Sequence, residues 1–109
     1  MDLPTLRKLL AMDENDPLSR FALGKKLFEL HADDPAALRE AAEHLRVANA
    51  RAPDHLATYH VLGQVLIQLG ERDEARRVLA AGLDRVAAAG GGMGRDLGPA
   101  MEQLLANLE

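Results

Sequence analysis

The residues of this chain whose types could do chemistry are four histidines, one run of acids, one glycine cluster and a single serine. His31, His44, His55 and His60 contain no pair at i, i+4, the spacing that sets two imidazoles on one helix face as metal ligands. A metal site would have to be assembled from separate loops, so the four are expected at the solvated surface and no metal is expected. Asp13-Glu14-Asn15-Asp16 has the acid density of a calcium loop, but Pro17 and Leu18 stand where such a loop needs a ligand and its turn glycine. The run reads instead as a helix break. Gly90-Gly91-Gly92-Met93-Gly94-Arg95 could cradle a phosphate at a helix start, yet no strand precedes it and no Lys-Ser/Thr follows, which leaves a flexible link. Ser19 has no His and acid beside it in sequence and reads as a first-turn helix residue, not a nucleophile. With no cysteine there is no disulfide, thiolate ligand or sulfur nucleophile. No catalytic residue, cofactor or metal site follows from these patterns, and an enzyme is not expected.

The elements that position such residues follow from composition. The chain has 109 residues, room for one domain spanning 1–109. Leu and Ala supply 39 of its 52 apolar residues, while Val, Ile and Thr together number only 8, so the fold is expected to be all-α. The net charge of −4, with acids and bases interleaved, offers no basic field for nucleic acid. No apolar run reaches the roughly 18 residues of a membrane span, and no leader pattern opens the chain. A cytoplasmic protein is expected.

Six helical segments are legible. The first runs from Asp2 to Met12, with Leu3, Leu6, Leu9 and Leu10 on one face. Asp16-Pro17 opens the second, to about Leu30, and Asp34-Pro35 the third, to about Arg51. The third is amphipathic through Leu38, Ala41, Ala42, Leu45 and Ala48. The fourth is expected over Asp54 to Leu69, stopping at Gly70, and the fifth over Glu71 to Ala89, with Asp73 and Arg77 paired at i, i+4. After the Gly-rich link, Leu97, Met101, Leu104, Leu105 and Leu108 stripe a sixth helix.

The second-plus-third pair repeats in the fourth-plus-fifth. Arg20-x-x-Leu23-Gly24-x-x-Leu27, then Ala41-x-x-x-Leu45, Ala48 and Pro53, parallels Tyr59-x-x-Leu62-Gly63-x-x-Leu66, then Ala75-x-x-x-Leu79. The pattern resembles the tetratricopeptide repeat, a 34-residue antiparallel helix pair reading Trp-x-x-Leu-Gly-x-x-Tyr, Ala-x-x-x-Phe and Pro. Arg20 departs from it where an aromatic is preferred, Gly82 where Ala is, and Ala87 where the closing Pro is. Gly24 to Ala41 is 17 residues but Gly63 to Ala75 only 12, so a five-residue insertion is expected in an exposed loop around His31 to Ala37. The resemblance covers Pro17 to about Ala89. It implies antiparallel helix pairs stacked as a short right-handed α-solenoid: an N-terminal half-repeat helix (1–16), two repeats (17–53 and 54–89), then the link and a capping helix (90–109).

The resemblance also implies that the first helix of each repeat faces a groove that receives a peptide or helical segment of a partner protein. At about 100° per residue, Leu23, Leu27 and Leu30 share one side of the second segment while Phe21, Lys25 and Phe28 lie nearly opposite. The matching positions of the fourth are His60, Gln64 and Ile67, with Gln68 beside them. The expected groove residues are therefore Phe21, Lys25, Phe28, His60, Gln64, Ile67 and Gln68, unless a flanking helix folds across and buries the two Phe. With Phe21 and His60 at positions where the carboxylate-clamping branch of the family places Lys or Asn, that branch is not expected. The alternative is a self-associating unit, a homodimer through the open face or the Leu97 to Leu108 helix.

Overall fold

A computed structural model describes residues 1–90 and 96–108. Among them, every regular element is a helix, in two compact units, Met1–Pro53 and Asp54–Glu109. The Gly-rich link and the phosphate-loop candidate lie outside the described residues from Gly91 to Arg95.

The first unit holds α1 (Leu3–Met12), α2 (Pro17–His31) and α3 (Pro35–Arg51). All three start by one device: an aspartate N-cap with proline in the first turn. Proline there gives up an N–H the helix cannot use, and the carboxylate accepts one that it would otherwise leave unpaired. Asp2 accepts from Thr5 N at 3.0 Å, Asp34 from Ala36 N at 3.0 Å, and Asp16 from Leu18 N at 3.2 Å and Ser19 Oγ at 2.7 Å. Ser19 thus serves the cap. The Ser19 hydroxyl holds the Asp16 carboxyl below the ordinary carboxylate range, and the Thr5 bonds do so for Asp2.

The acidic run after α1 builds the turn. Asp13 Oδ1 accepts from Asn15 N at 3.1 Å, Asn15 Oδ1 from Arg51 Nη2 at 3.0 Å and the Glu14 carbonyl from Arg20 Nε at 2.8 Å. Of the four leucines expected on one face of α1, only Leu6 is buried; Leu9 is exposed. The α2–α3 pair closes at Gly24, where an added Cβ would sit 2.7 Å from Leu45 Cγ and 3.1 Å from the Ala41 carbonyl. Leu23, Ala41 and Leu45 are fully enclosed around that crossing. Leu30, expected with Leu23 and Leu27, is 56% exposed because it lies in the last turn of α2, where the chain is already leaving the pair.

The second unit holds α4 (Leu56–Leu69), α5 (Arg72–Ala88) and α6 (Leu97–Asn107). α4 begins two residues later than the Asp54 start expected: Asp54 gives its carboxylate to Arg85 Nη1 at 2.8 Å, and His55 takes the N-cap position with Nδ1 at 2.7 Å from Thr58 Oγ1. α4 ends at Gly70, whose φ of 82° is the left-handed region that glycine enters without a Cβ penalty. Gly70 N then donates to Ile67 O at 3.0 Å and Glu71 N to Leu66 O at 2.9 Å, pairing carbonyls the helix end leaves open. Asp73 pairs with Arg76 at 2.7 Å, not with Arg77, since the i, i+3 partner is the one in reach.

The α4–α5 crossing repeats the first one. A Cβ at Gly63 would lie 2.5 Å from Leu79 Cδ2, and Ala75 and Leu79 are fully buried. α6 packs on both α4 and α5, burying Met101 and Leu108. Two guanidiniums hold its end: Arg72 Nη2 donates to the Leu108 carbonyl at 2.6 Å and Arg76 Nη2 to the same oxygen at 3.1 Å. Cations at a helix C-terminus also meet the negative end of its dipole.

Candidate functional site

On α2, Phe21 and Lys25 come together with the N-terminal end of α1. They line a pocket of about 400 Å³ with Met1, Leu6, Ala22, Lys26 and Glu29. Phe21 is half-buried, so α1 covers part of the face expected to be open, but an opening remains. Phe28, also half-buried, is not among the residues that line it. Lys25 stands at the rim with Nζ 3.9 Å from Glu29 Oε1, both side chains about half-exposed. The sequence reading missed Ala22, Lys26 and Glu29, which flank Phe21 and Lys25 on the same helix, because it weighed only the strip opposite Leu23. Met1 precedes α1 and Leu6 lies in it, and nothing in their spacing signals that placement.

Arg20, in the position where the repeat pattern places an aromatic, joins a polar chain that spans the first unit. Its Nη1 lies 3.1 Å from His44 Nδ1, His44 Nε2 3.0 Å from Glu40 Oε2, and Glu40 receives Arg7 at 2.6 and 3.2 Å. Arginine has no acceptor, so His44 Nδ1 accepts from it and Nε2–H donates to Glu40. The Arg7 guanidinium holds the Glu40 carboxyl below its ordinary range, and Glu40 in turn raises Arg7. His44 was expected at the surface; its side chain is 12% exposed, because it serves as the middle link of this chain. His55, in the cap of α4, and half-buried His60 depart from the same expectation, whereas His31 is exposed.

On α4, His60, Gln64 and Ile67 are half-buried and Gln68 is exposed. Their spacing of four, three and one places the first three along one strip of the helix. Burial pushes the His60 imidazole below its ordinary value, which favours the neutral ring. The strip offers amides, one neutral imidazole and one aliphatic side chain, with no charge of its own.

Among the described residues, no group of three or more His, Cys, Asp or Glu is placed to hold a metal ion, and no helix is long and apolar enough to cross a membrane. What the two units do show is a helix hairpin apiece, each closed by a glycine against a leucine and flanked by a third helix. That arrangement defines a helical-repeat protein. The tetratricopeptide repeat model matches residues 36–89, which take in nearly all of α3, α4 and α5, and the chain belongs to that family. No curated protein matches it. Repeats of this family generally mediate protein–protein interaction and are typically non-catalytic.

Proposed function

We propose that this chain is a non-catalytic interaction module that takes up a peptide or helical segment of a partner protein on the first helix of each repeat, working in the cytoplasm. Phe21, Lys25 and Phe28 are the contact residues on α2, and His60, Gln64, Ile67 and Gln68 those on α4. The observation that carries this reading is the pocket on α2, an opening walled by Phe21 and Leu6. A homodimer through the open face or α6 is the weaker reading, because the buried side chains Met101 and Leu108 are already used within their own chain, where α6 packs on α4 and α5, and leave α6 less apolar surface to offer a second copy.

The test is capture from lysate by the tagged chain beside Phe28→Glu and Ile67→Glu, with circular dichroism on each. A partner held by the native chain and lost by a still-helical variant supports the reading. No captured protein, or one held equally by both variants, overturns it. A Phe28→Glu chain that unfolds would make Phe28 part of the core, and Ile67→Glu then carries the test.

A further inference from the structure

We propose that the α1–α2 pocket is an anchor site for one bulky apolar side chain of a partner protein, flanked in that partner by aspartate or glutamate. The inference rests on the interaction reading above and names the chemistry of the segment it would take.

The walls supply the apolar half. Met1 and Leu6 on one side and Phe21 and Ala22 on the other leave about 400 Å³, near the small end of roughly 300–1,000 Å³ that ligand pockets span. These four side chains offer only apolar contact, so a charged group would have to find its partner at the lysine rim and not on the walls. An apolar side chain is the occupant that such walls favour.

The rim supplies the acidic half. Lys25 and Lys26 bring two ammonium groups and Glu29 one carboxylate. The single contact among them, Lys25 to Glu29, is long at 3.9 Å and half-exposed, a geometry that holds charges only loosely. Lys26 makes no ion pair among the described residues. Asp2, the N-cap of α1, accepts from Thr5 N and is not among the residues that line the pocket. The rim therefore carries spare positive charge. The chain's net charge of −4 does not cancel it, since charges beyond about 8 Å are largely screened at physiological salt and those in contact at the rim only in part.

The test is selection of a displayed random 12-residue peptide library on the full chain, with amide shifts mapped for the peptides recovered. The expected consensus is a large apolar residue with Asp or Glu within two positions. Binding should shift Leu6, Ala22 and Lys26 and weaken with added salt. Lys25→Glu with Lys26→Glu, both at a rim where folding is not at stake, should cost such peptides roughly tenfold in affinity, the sum of two exposed pairs turned repulsive, and should move the selected consensus toward Lys and Arg. Peptides that bind without acids, or that shift α4 alone, overturn this inference and leave the interaction reading standing. No enrichment at all overturns both. Sedimentation of the native chain covers the remaining occupant: self-association abolished by the charge reversal would put a second copy in the pocket in place of a different protein, and would also overturn the proposal.

Discussion

Gly82→Ala separates what the repeat pattern implies from what the packing demands. The family pattern prefers alanine at this position, and alanine is worth about 1 kcal/mol over glycine inside a helix. On that ground alone the variant should be more stable. Its Cβ, however, would sit 2.7 Å from Tyr59 Cβ, 3.0 Å from Tyr59 Cγ and 2.7 Å from Met101 Sδ, where carbon contacts settle at about 3.5–4.0 Å. Met101 is a flexible thioether that can swing aside. Tyr59 Cβ is fixed to the backbone of α4, so relief there requires α5 and α4 to part. Overpacking of this kind costs about 1–3 kcal/mol, and setting the propensity gain against it leaves a net loss of about 1 kcal/mol. Thermal unfolding followed at 222 nm should show a fall in Tm of roughly 4–8 °C. Adding Met101→Ala should recover only part of that loss relative to Met101→Ala alone, because the tyrosine contact persists. A Gly82→Ala chain that melts higher than the native one would refute the reasoning, since α4, α5 and α6 would then not meet at this glycine as closely as described.

Other perturbations give outcomes of known sign. Arg7→Ala should loosen α1 specifically, because Leu6 is its only buried residue and the Glu40 pair, with side chains 49% and 37% exposed, is worth about 0.5–1 kcal/mol; hydrogen exchange should speed up roughly two- to fivefold at α1 amides and stay unchanged in α5. Asp34→Ala removes the cap of α3 and should cost about 1 kcal/mol in urea unfolding. Acid should weaken the fold in two windows. His60 lies below its reference value of 6.5 in the folded state, so the unfolded chain binds the proton first, and the stability fully present above that value declines as pH falls through the folded one. Glu40 lies below its reference of 4.5, so its contribution is present above that value and is lost as pH falls through its folded one. His60→Gln should flatten the first window in urea midpoints and leave the second.

Leucine spacing, the Asp-Pro starts and Gly70 made all six helices legible to within two residues, because caps and periodicity are local properties of the chain. The Gly24 and Gly63 crossings were legible for a different reason: the pattern appears twice, and only a close approach explains a glycine in the middle of two good helices. The insertion shows where local reading stops. Its five residues were placed in a loop, yet one lengthens α2, one lengthens the turn and three lengthen the start of α3. Asp34 and Pro35 open a helix wherever they stand, and Ala37, the last of those three, is buried beside Leu38, so the added residues joined the pair. The pocket was half legible. Phe21 and Lys25 were found from the helical angle, but the wall from α1 depends on tertiary packing that no spacing encodes.

The weakness of the first repeat in sequence has a physical source in the same region. Where α4 presents buried Tyr59, α2 presents Arg20, and a guanidinium can occupy an inward position only if its donors are met. They are met by the Glu14 carbonyl and His44, and His44 is met in turn by Glu40, which Arg7 of α1 closes. One replaced aromatic therefore brings in four polar partners drawn from α1, α3 and the turn between α1 and α2. This accounts for a family match that begins at residue 36 and leaves α2 outside: the aromatic and the helix-to-helix spacing, two features by which the repeat is recognised, are the two that α2 has changed. It also joins the fold to the candidate site, because the pair that ends this polar chain, Arg7 with Glu40, fastens the helix whose Leu6 walls the pocket. A change that empties the network should then reach the pocket through α1 without touching a residue that lines it.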